Sequence, residues 1–375
     1  MDLLWPLEEH TEAKHRLYRR YLDAWWPIML QQEWITRVTY LEAFAGPGEY
    51  EGGEPGSPIY ALRSLLNHKQ RSTMNIRRDR VTLIFMEKDK ARAAHLEDLI
   101  VAEFGPLDEM PCDVQIKGGA DATTDVARLL GESGAWGHPV LAILDSWSNV
   151  AVPYDDVARI GANPRSEVIV TFGPHWFQRH NSVAKNLVDR VFGARERWES
   201  PSRGASTFAA WQSWLTAYQG ALGEAGFKHC LAFEVRPASG TPLYLVYGTG
   251  TLDGPGARRG VEVFKEAMWS VDRRDGMAFR DPRCSTALPD ETQGALFGGA
   301  VDDERVSPEL RYLVSEKIKL SSLTLDALRE WALLETAQWR GQDARSAVLE
   351  LHADRHIGYR PETRLNGATE LFWIS

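Results

Sequence analysis

The chain has 375 residues, of which 43% are hydrophobic and 25% charged, as in an ordinary globular protein of about two domains. The formal net charge of −9 argues against a surface covered in basic residues for non-specific DNA binding, although a local basic patch is compatible with it. The three cysteines form no CxxC pair and no run of about 18 apolar residues occurs, so neither a zinc site, a disulfide framework nor a membrane span is expected. Residues 1–10 also lack a signal-peptide pattern, and a cytoplasmic protein is predicted.

Helix and strand patterns alternate along the first part of the chain. Apolar side chains at helical spacing predict a long amphipathic helix over 10–32. Near-continuous apolar runs predict five buried strands, over 37–44, 81–87, 113–117, 140–145 and 167–172. Helical patterns between these strands cover 57–68, 90–104, 123–131 and 154–160. The alternation predicts an α/β fold with a Rossmann-like, doubly wound, mostly parallel sheet covered on both faces.

The second part of the chain is less regular. A polar stretch over 193–206 breaks the alternation. We interpret it as an insertion, covering about 190–210, or as a lid. A helix over 211–225, a hairpin of strands over 230–235 and 243–247, and a helix over 260–271 follow. The Gly-, Asp- and Pro-rich residues 281–307 predict a linker between a domain over 1–280 and a module over 308–375. Helices over 323–335 and 345–354, followed by strands over 357–359 and 371–374, predict that this module is winged-helix-like.

The end of the first predicted strand is the most informative motif. The strand passes through Glu42 and Phe44 into Ala45 and then into the bend Gly46-Pro47-Gly48. Glycine in such a turn lets a ligand approach the backbone closely, and the turn lies at the carboxyl end of the sheet, where nucleotide-like ligands bind. The loop ends at Ser57-Pro58, where serine is a good N-cap and proline a good first helical residue.

Acidic residues stand at or just after the ends of four successive predicted strands: Glu42, Glu87, Asp121 and Asp145. The carboxylate of Glu87 is expected to accept hydrogen bonds from a ribose diol, and Asp121 from the exocyclic amine of adenine. Glu42 would help to hold the cationic end of the ligand. Because the bend is not GxGxxG and offers no pyrophosphate spacing, this set fits S-adenosylmethionine better than NAD.

Ordinary structural roles compete with this interpretation. A single Gly-x-Gly turn is weak evidence of a nucleotide site, and acidic residues at strand ends, such as Asp89 or Asp121, are often helix N-caps. The ordered recurrence of four such residues on consecutive strands favours the joint interpretation.

Two interpretations are equally consistent with the turn after the fourth strand, Asp145-Ser146-Trp147-Ser148-Asn149. Trp147 either stacks on a substrate base beside Asp145 or packs in the core after a capped helix start. His175 follows the fifth strand and is a candidate general base, with packing beside Trp176 as the ordinary alternative.

Further side chains of possible function have commoner structural explanations. A basic rim for phosphates is one interpretation of four arginines, and solvated surface charge is the commoner one: Arg179, Arg195, Arg197 and Arg203. His352 and His356 are four residues apart but lack a third ligand, so no metal site is predicted. The C-terminal module has no clear basic bias, so protein contact or dimerisation is an alternative to nucleic-acid binding there.

Several segments together resemble the three-Cys-motif partner family, TcmP: residues 41–58, 85–89, 242–249 and 264–272, with the C-terminal module also similar. The resemblance implies a Rossmann-like, S-adenosylmethionine-dependent fold of the class I methyltransferase type, and a possible partner protein that bears the three cysteines. Members usually carry an Asp-Pro-Phe-Gly-like turn after strand four; Asp145 matches its acid, whereas Ser146, Trp147 and Ser148 depart from it.

The site predicted on these grounds combines a cofactor pocket with an acceptor position. Its catalytic candidates are Asp145, Trp147 and His175. Its cofactor-binding candidates are Glu42, Phe44, Ala45, Gly46, Pro47, Gly48, Ser57, Glu87, Lys88, Asp121 and Ala122. The leading hypothesis is methyl transfer to a nucleic acid or nucleoside. The alternatives are a cofactor-binding adaptor that has lost catalysis and a small-molecule methyltransferase of specialised metabolism.

Overall fold

The computed structural model of the chain describes residues 3–146, 149–199, 207–238, 240–250, 255–272, 276–280, 306–360 and 365–374. It divides into two units, of which unit 1 spans 1–273 and 277–284 and unit 2 spans 274–276 and 285–375. The predicted linker over 281–307 lies almost wholly outside the described residues. Among the helices of the described part, none is both long and apolar enough to cross a bilayer.

One eight-stranded sheet forms the centre of unit 1. Its strands are β1 (Val38–Glu42), β2 (Val81–Glu87), β3 (Asp113–Gly118), β4 (Val140–Leu144), β5 (Glu167–Phe172), β6 (His229–Arg236), β7 (Leu243–Thr249) and β8 (Ala278–Arg280). They lie in the order β3-β2-β1-β4-β5-β7-β6-β8. β7 is antiparallel to both of its neighbours and the remaining neighbouring pairs are parallel. The predicted mostly parallel α/β sheet and its closing hairpin are therefore confirmed, and the strand order reverses between β1 and β4.

Helices cover both faces of this sheet. They are α1 (Glu9–Leu30), α2 (Ser57–Leu66), α3 (Lys90–Phe104), α4 (Val126–Glu132), α5 (Tyr154–Ala162), α6 (Pro174–His180), α7 (Lys185–Phe192), α8 (Thr207–Glu224) and α9 (Pro255–Val271). Successive side chains of β1 point to opposite faces of the sheet. Leu41 joins the apolar core that α4 to α8 share on one face, and Tyr40 contacts Trp26 of α1 on the other. On that second face α1 packs against α2 and α9.

The structure corrects several predicted boundaries. The short helices α6 and α7 were not predicted, because each is only two turns long and offers little periodicity, although Pro174 suits the first turn of α6. Of the predicted insertion over 190–210, the ends of α7 and α8 and a 3₁₀ turn at Arg195–Arg197 are described, and residues 200–206 are not. Helix α4 begins at Val126 rather than 123, since the residues after Asp121 form a turn instead.

A buried carboxylate ties α1 to the sheet. Glu167, 4% exposed at the first position of β5, accepts hydrogen bonds from Tyr21 (2.8 Å) and Trp25 (2.6 Å) of α1. It also accepts hydrogen bonds from Tyr247 (2.7 Å) and Thr249 (3.1 Å) of β7. One acceptor group thus satisfies four buried donors from two elements, which fixes the position of α1 over the sheet.

Unit 2 combines helices with a small antiparallel sheet. In chain order it contains α10 (Pro308–Leu320), β9 (Leu323–Thr324), α11 (Leu325–Glu335), α12 (Gly341–Ala353), β10 (Ile357–Arg360) and β11 (Glu370–Trp373). β11 is the central strand and pairs antiparallel with β10 and β9. Helix α10 and strand β9 were not predicted. His352 and His356 are placed as ordinary packing residues, the first bonded to the Ile357 carbonyl and the second stacked on Trp373.

Candidate functional site

The Gly46-Pro47-Gly48 bend follows β1 as predicted. Gly46 and Gly48 have φ of +67° and +89°, a region that favours glycine. At Gly48 this φ would strain any other residue, and an added Cβ would lie 2.6 Å from a methyl group of Leu96, whose side chain would have to shift. The Gly46 amide donates to the Glu87 carboxylate at 3.0 Å, which fixes the bend against the end of β2.

A cavity of about 420 Å³ lies beside this bend, at the point where the strand order reverses between β1 and β4. Such a reversal point is where open α/β sheets bind ligands. The predicted site residues that line the cavity are Glu42, Phe44, Ala45, Gly46, Pro47, Gly48, Ser57 and Asp145.

Glu42 is buried at the cavity wall. Its carboxyl group accepts a hydrogen bond from the Tyr40 hydroxyl at 3.1 Å and another from the Ser57 hydroxyl. Burial raises the pKa of Glu42 to about 8, although these two hydrogen bonds act in the opposite direction. The prediction that Ser57 caps α2 is therefore wrong. Its side chain binds Glu42 instead, and Gly56 takes the N-cap position.

Glu42→Gln is expected to become more stable relative to the natural protein as pH rises from about 5 to 8. In this window the carboxyl group ionises in the unfolded chain but stays protonated in the folded one, so ionisation favours unfolding. Glutamine cannot ionise, and the relative gain should approach 3 kcal/mol, on the order of the pKa shift. Urea unfolding at several pH values measures it. A difference that is the same at every pH would contradict the raised pKa.

Asp145 and Lys14 form an ion pair that also lines the cavity, at the end of the strand next to that of Glu42. The Lys14 Nζ lies 2.8 Å from Asp145 Oδ2, with both side chains largely buried, and the Tyr18 hydroxyl donates to the same oxygen at 3.1 Å. Burial alone would raise the pKa of Asp145, but the Lys14 ammonium and the hydrogen bonds hold it below its usual range. The other oxygen, Oδ1, is buried, and the Thr171 hydroxyl beside the carboxylate helps to lower this pKa.

Helix α1 supplies site residues that the sequence analysis did not identify. Lys14, His15 and Tyr18 come from its first turns, and Lys14 and His15 line the cavity. Burial and the Lys14 charge lower the pKa of His15 to about 3, so its ring is neutral. A signal was present in the sequence, because Lys14 continues the stripe of Leu17, Tyr18 and Tyr21 that faces the core, where a lysine is unusual.

Trp5 forms a further wall that no sequence pattern indicated. A Cβ at Gly46 would lie 3.6 Å from the Trp5 ring, which shows how closely the indole approaches the bend. The Trp5 carbonyl accepts from the Glu51 amide at 3.1 Å, and the Arg92 guanidinium lies 4.7 Å from the centre of the indole ring. The N-terminal segment is thereby attached to the loop that surrounds the cavity.

Glu87 and Asp121 lie at the same sheet edge but on strands farther out. The carboxylate of Glu87 accepts from the amides of Gly46 and Asp89, the latter at 2.8 Å. Asp121 pairs with the exposed Lys88 at 2.7 Å, and this pairing lowers the pKa of Asp121 to about 2. Asp89 is the N-cap of α3, which confirms the helix-cap role considered for it in the sequence analysis. Among the described residues, those lining the 420 Å³ cavity do not include Glu87, Lys88, Asp121 or Ala122.

The other candidates lie apart from the cavity or outside the described residues. Trp147 belongs to the latter group, as does Arg203. His175 donates to the Pro242 carbonyl, and burial and the Arg179 charge lower its pKa. Two arginines of the predicted basic rim are used in ion pairs, Arg195 with Asp189 and Arg197 with Glu224, each at 2.8 Å or less.

No family model and no curated protein matches this chain. Solved structures that match include EvdMO1, with 15% identity, a TM-score of 0.34, and coverage of 65% of this chain and 42% of that chain. A second is DszA carbon methyltransferase, with 13% identity, a TM-score of 0.32, and coverage of 60% and 50%. A third is geranyl diphosphate C-methyltransferase from Streptomyces coelicolor in complex with S-adenosyl-L-homocysteine, with 10% identity, a TM-score of 0.26, and coverage of 60% and 78%.

This chain thus spans half or less of the length of the first two proteins. At such identities and TM-scores, the likeness carries no argument about activity. The resemblance to the three-Cys-motif partner family stays a prediction, and function has to be inferred from the geometry of the site.

Proposed function

We propose that this chain is an S-adenosylmethionine-dependent methyltransferase whose cofactor binds in the cavity between β1, β4 and α1. The observation that carries the proposal is the placement of Glu42, the Gly46–Gly48 bend and Asp145 around one cavity where the strand order reverses. A site at this place suits a nucleoside with a cationic amino-acid end.

The residues present fit this group. The glycine bend offers a backbone surface with little side chain, and a substitution at Gly48 would be strained by its φ of +89°. The Asp145 carboxylate would attract the cofactor's ammonium group, and Glu42 lines the same cavity. Glu87 would accept from the ribose hydroxyls with its remaining lone pairs, and Asp121 from the adenine amine once the exposed Lys88 moves aside.

Positioning is the main contribution that the protein would make to the reaction. When bound, the cofactor supplies an electrophilic methyl group on a sulfonium centre. Lys14 keeps Asp145 ionised and oriented, and the neutral ring of His15 is held by a hydrogen bond between its Nε2 and the Tyr50 hydroxyl at 3.3 Å. A pKa of about 3 makes His15 a poor proton acceptor, so alignment of the acceptor atom with the methyl group matters more than base catalysis. Trp147 and His175 remain proposed contacts of the acceptor.

A second candidate function is supported by the Lys14–Asp145 ion pair. Asp145, in the turn after β4, is the acid that the sequence predicts at the acceptor position. Here one oxygen of that acid is already bound by Lys14 and Tyr18. This arrangement favours a protein that binds the cofactor without transferring its methyl group and acts through a partner.

Unit 2 would serve recognition in either case. Its order of helix, strand, two helices and two strands supports the proposal of a winged-helix-like module. A nucleic acid, a nucleoside or a three-Cys-motif partner protein is the proposed binding partner of the whole chain.

Gly48→Ala is expected to weaken binding of S-adenosylmethionine by about tenfold or more, because alanine is strained at this φ and its methyl group presses on Leu96, which together shift the bend. Isothermal titration calorimetry with S-adenosylmethionine and with its demethylated product measures this effect. The matched control is Gly53→Ala, in the same loop and also at positive φ, where an added Cβ has no atom within 4 Å. Asp145→Asn provides a second test if Gly48→Ala does not fold, and binding should again weaken.

Labelled-methyl transfer into RNA, DNA and the low-mass fraction of a cell extract separates the candidates. Transfer to a nucleic acid supports the leading function, and transfer only to low-mass components supports a small-molecule methyltransferase. Cofactor binding without transfer supports the second candidate. Absence of binding by the natural protein would refute both cofactor-based proposals.

A further inference from the structure

A second hollow in unit 1 is strongly basic, although the chain as a whole is acidic. It is an open groove of about 760 Å³ between α1 and α2, with Arg259 of α9 at one side. One carboxylate, Asp23, lines it, against five cationic side chains: Arg19, Arg20, Arg63, Lys69 and Arg259. A concentration of positive charge in a concave surface attracts polyanions and is the electrostatic signature of nucleic-acid binding.

The charges of this basic groove differ in their availability. Arg63 is held by Glu103 in a two-pronged ion pair at 2.6 and 2.9 Å, and Arg259 by Glu262. Asp23 accepts a hydrogen bond from Ser64 at 2.8 Å. In contrast, Arg19, Arg20 and Lys69 are exposed, and the described part of the chain offers none of them a hydrogen bond or an ion pair. Three cations are therefore available to an external anion.

The basic groove lies next to the cavity, separated from it by one layer of side chains. Both hollows are built on α1 and α2, whose first turns contribute Lys14, His15 and Ser57 to the cavity. The wall between them is the contact of His15, which lines the cavity, with Tyr60, which lines the groove, at a ring distance of 5.6 Å. Arg19 lies one helical turn after His15, about 6 Å along the axis, a distance within reach of a phosphate that flanks a nucleotide in the cavity.

We propose that the basic groove binds the sugar–phosphate backbone of a single-stranded nucleic acid, so that one nucleotide of the strand enters the cavity. This inference rests on the proposed function and names its acceptor class. Enzymes that modify bases act on unstacked nucleotides, which favours a single strand over a duplex. Tyr60 and the amides of Asn67 and Gln70 give the groove an aromatic face and polar groups for bases and sugars.

The test is fluorescence anisotropy of the full chain with labelled single-stranded RNA and DNA 12-mers over a range of salt concentrations. The natural protein is expected to bind, and Arg19→Glu/Arg20→Glu to bind about tenfold more weakly or worse. The slope of log affinity against log salt should also become shallower by about 1.4, the contribution of two phosphate contacts on a single strand. Because both positions are exposed, the variant is expected to fold, which circular dichroism checks.

The matched control is Arg128→Glu/Lys185→Glu, which makes the same change of charge on α4 and α7, at the opposite face of the sheet and outside every candidate site, and should bind normally. Equal loss in this control, absence of binding by the natural protein, or equal competition by polyglutamate or anionic vesicles would overturn the proposal. Calorimetry with S-adenosylmethionine on the same variants separates the two proposals. Nucleic-acid binding that depends on the groove, in a chain that does not bind the cofactor, would refute the proposed function and leave the groove assignment standing.

Discussion

Glu167→Ala is expected to lower the free energy of unfolding of unit 1 by about 4 kcal/mol or more. The side chain is buried and accepts hydrogen bonds from Tyr21, Trp25, Tyr247 and Thr249. Its removal takes this acceptor from all four donors and opens a cavity, although the Tyr21 and Tyr247 hydroxyls, 3.0 Å apart, can still bond to each other. Denaturant unfolding followed by tryptophan fluorescence measures the change.

Glu167→Gln is the control for this prediction. It keeps the volume and one acceptor oxygen, while its amide group meets donors, so an intermediate loss of about 2 kcal/mol is expected. Because the carboxylate fixes α1, which carries Lys14 and His15 into the cavity, cofactor binding should weaken in parallel. A loss below about 1 kcal/mol for the alanine variant would show that other contacts position α1.

Lys14→Met is expected to destabilise the protein by about 3 kcal/mol at neutral pH, because it leaves the Asp145 carboxylate buried without its counter-charge. In the natural protein the pKa of Asp145 is lowered, so its contribution is present above the unfolded pKa and is lost as pH falls. In the variant, burial instead raises this pKa, and protonation relieves the cost. The difference between the two proteins should therefore shrink as pH decreases.

A double-mutant cycle isolates this interaction. Adding Asp145→Asn to Lys14→Met removes the unpaired charge and should recover most of the lost stability at neutral pH. Unfolding measured at about pH 7 and pH 5 for the four proteins gives the coupling energy at each pH. Additive effects at both values would mean that Lys14 and Asp145 do not act as a pair.

The sheet was predictable because its information is local. Near-continuous apolar runs over 81–87, 140–144 and 167–172 can be accommodated only by strands buried on both faces, and each of the acids Glu42, Glu87 and Asp145 directly marks a strand end. The glycine bend was predictable for the same reason, since Gly46 and Gly48 sit where the chain must turn.

The composition of the cavity was less predictable because its walls come from distant parts of the chain. Lys14 reaches Asp145 across 131 residues, and no local pattern encodes that contact. Ser57 was predicted to be a helix cap because Pro58 follows it. The buried carboxyl group of Glu42, at the end of β1, competes for its hydroxyl. Tertiary contacts of this kind override local preferences wherever a polar group must be satisfied inside the protein.

The same long-range contacts have a consequence for the order of folding. The cavity exists only after β4 has inserted beside β1 and α1 has docked on both, and contacts between distant segments form late because the chain entropy of closing large loops opposes them. A ligand held there stabilises an arrangement that early intermediates lack. Its effect therefore falls mainly on the rate at which the finished protein opens, rather than on the rate at which it assembles.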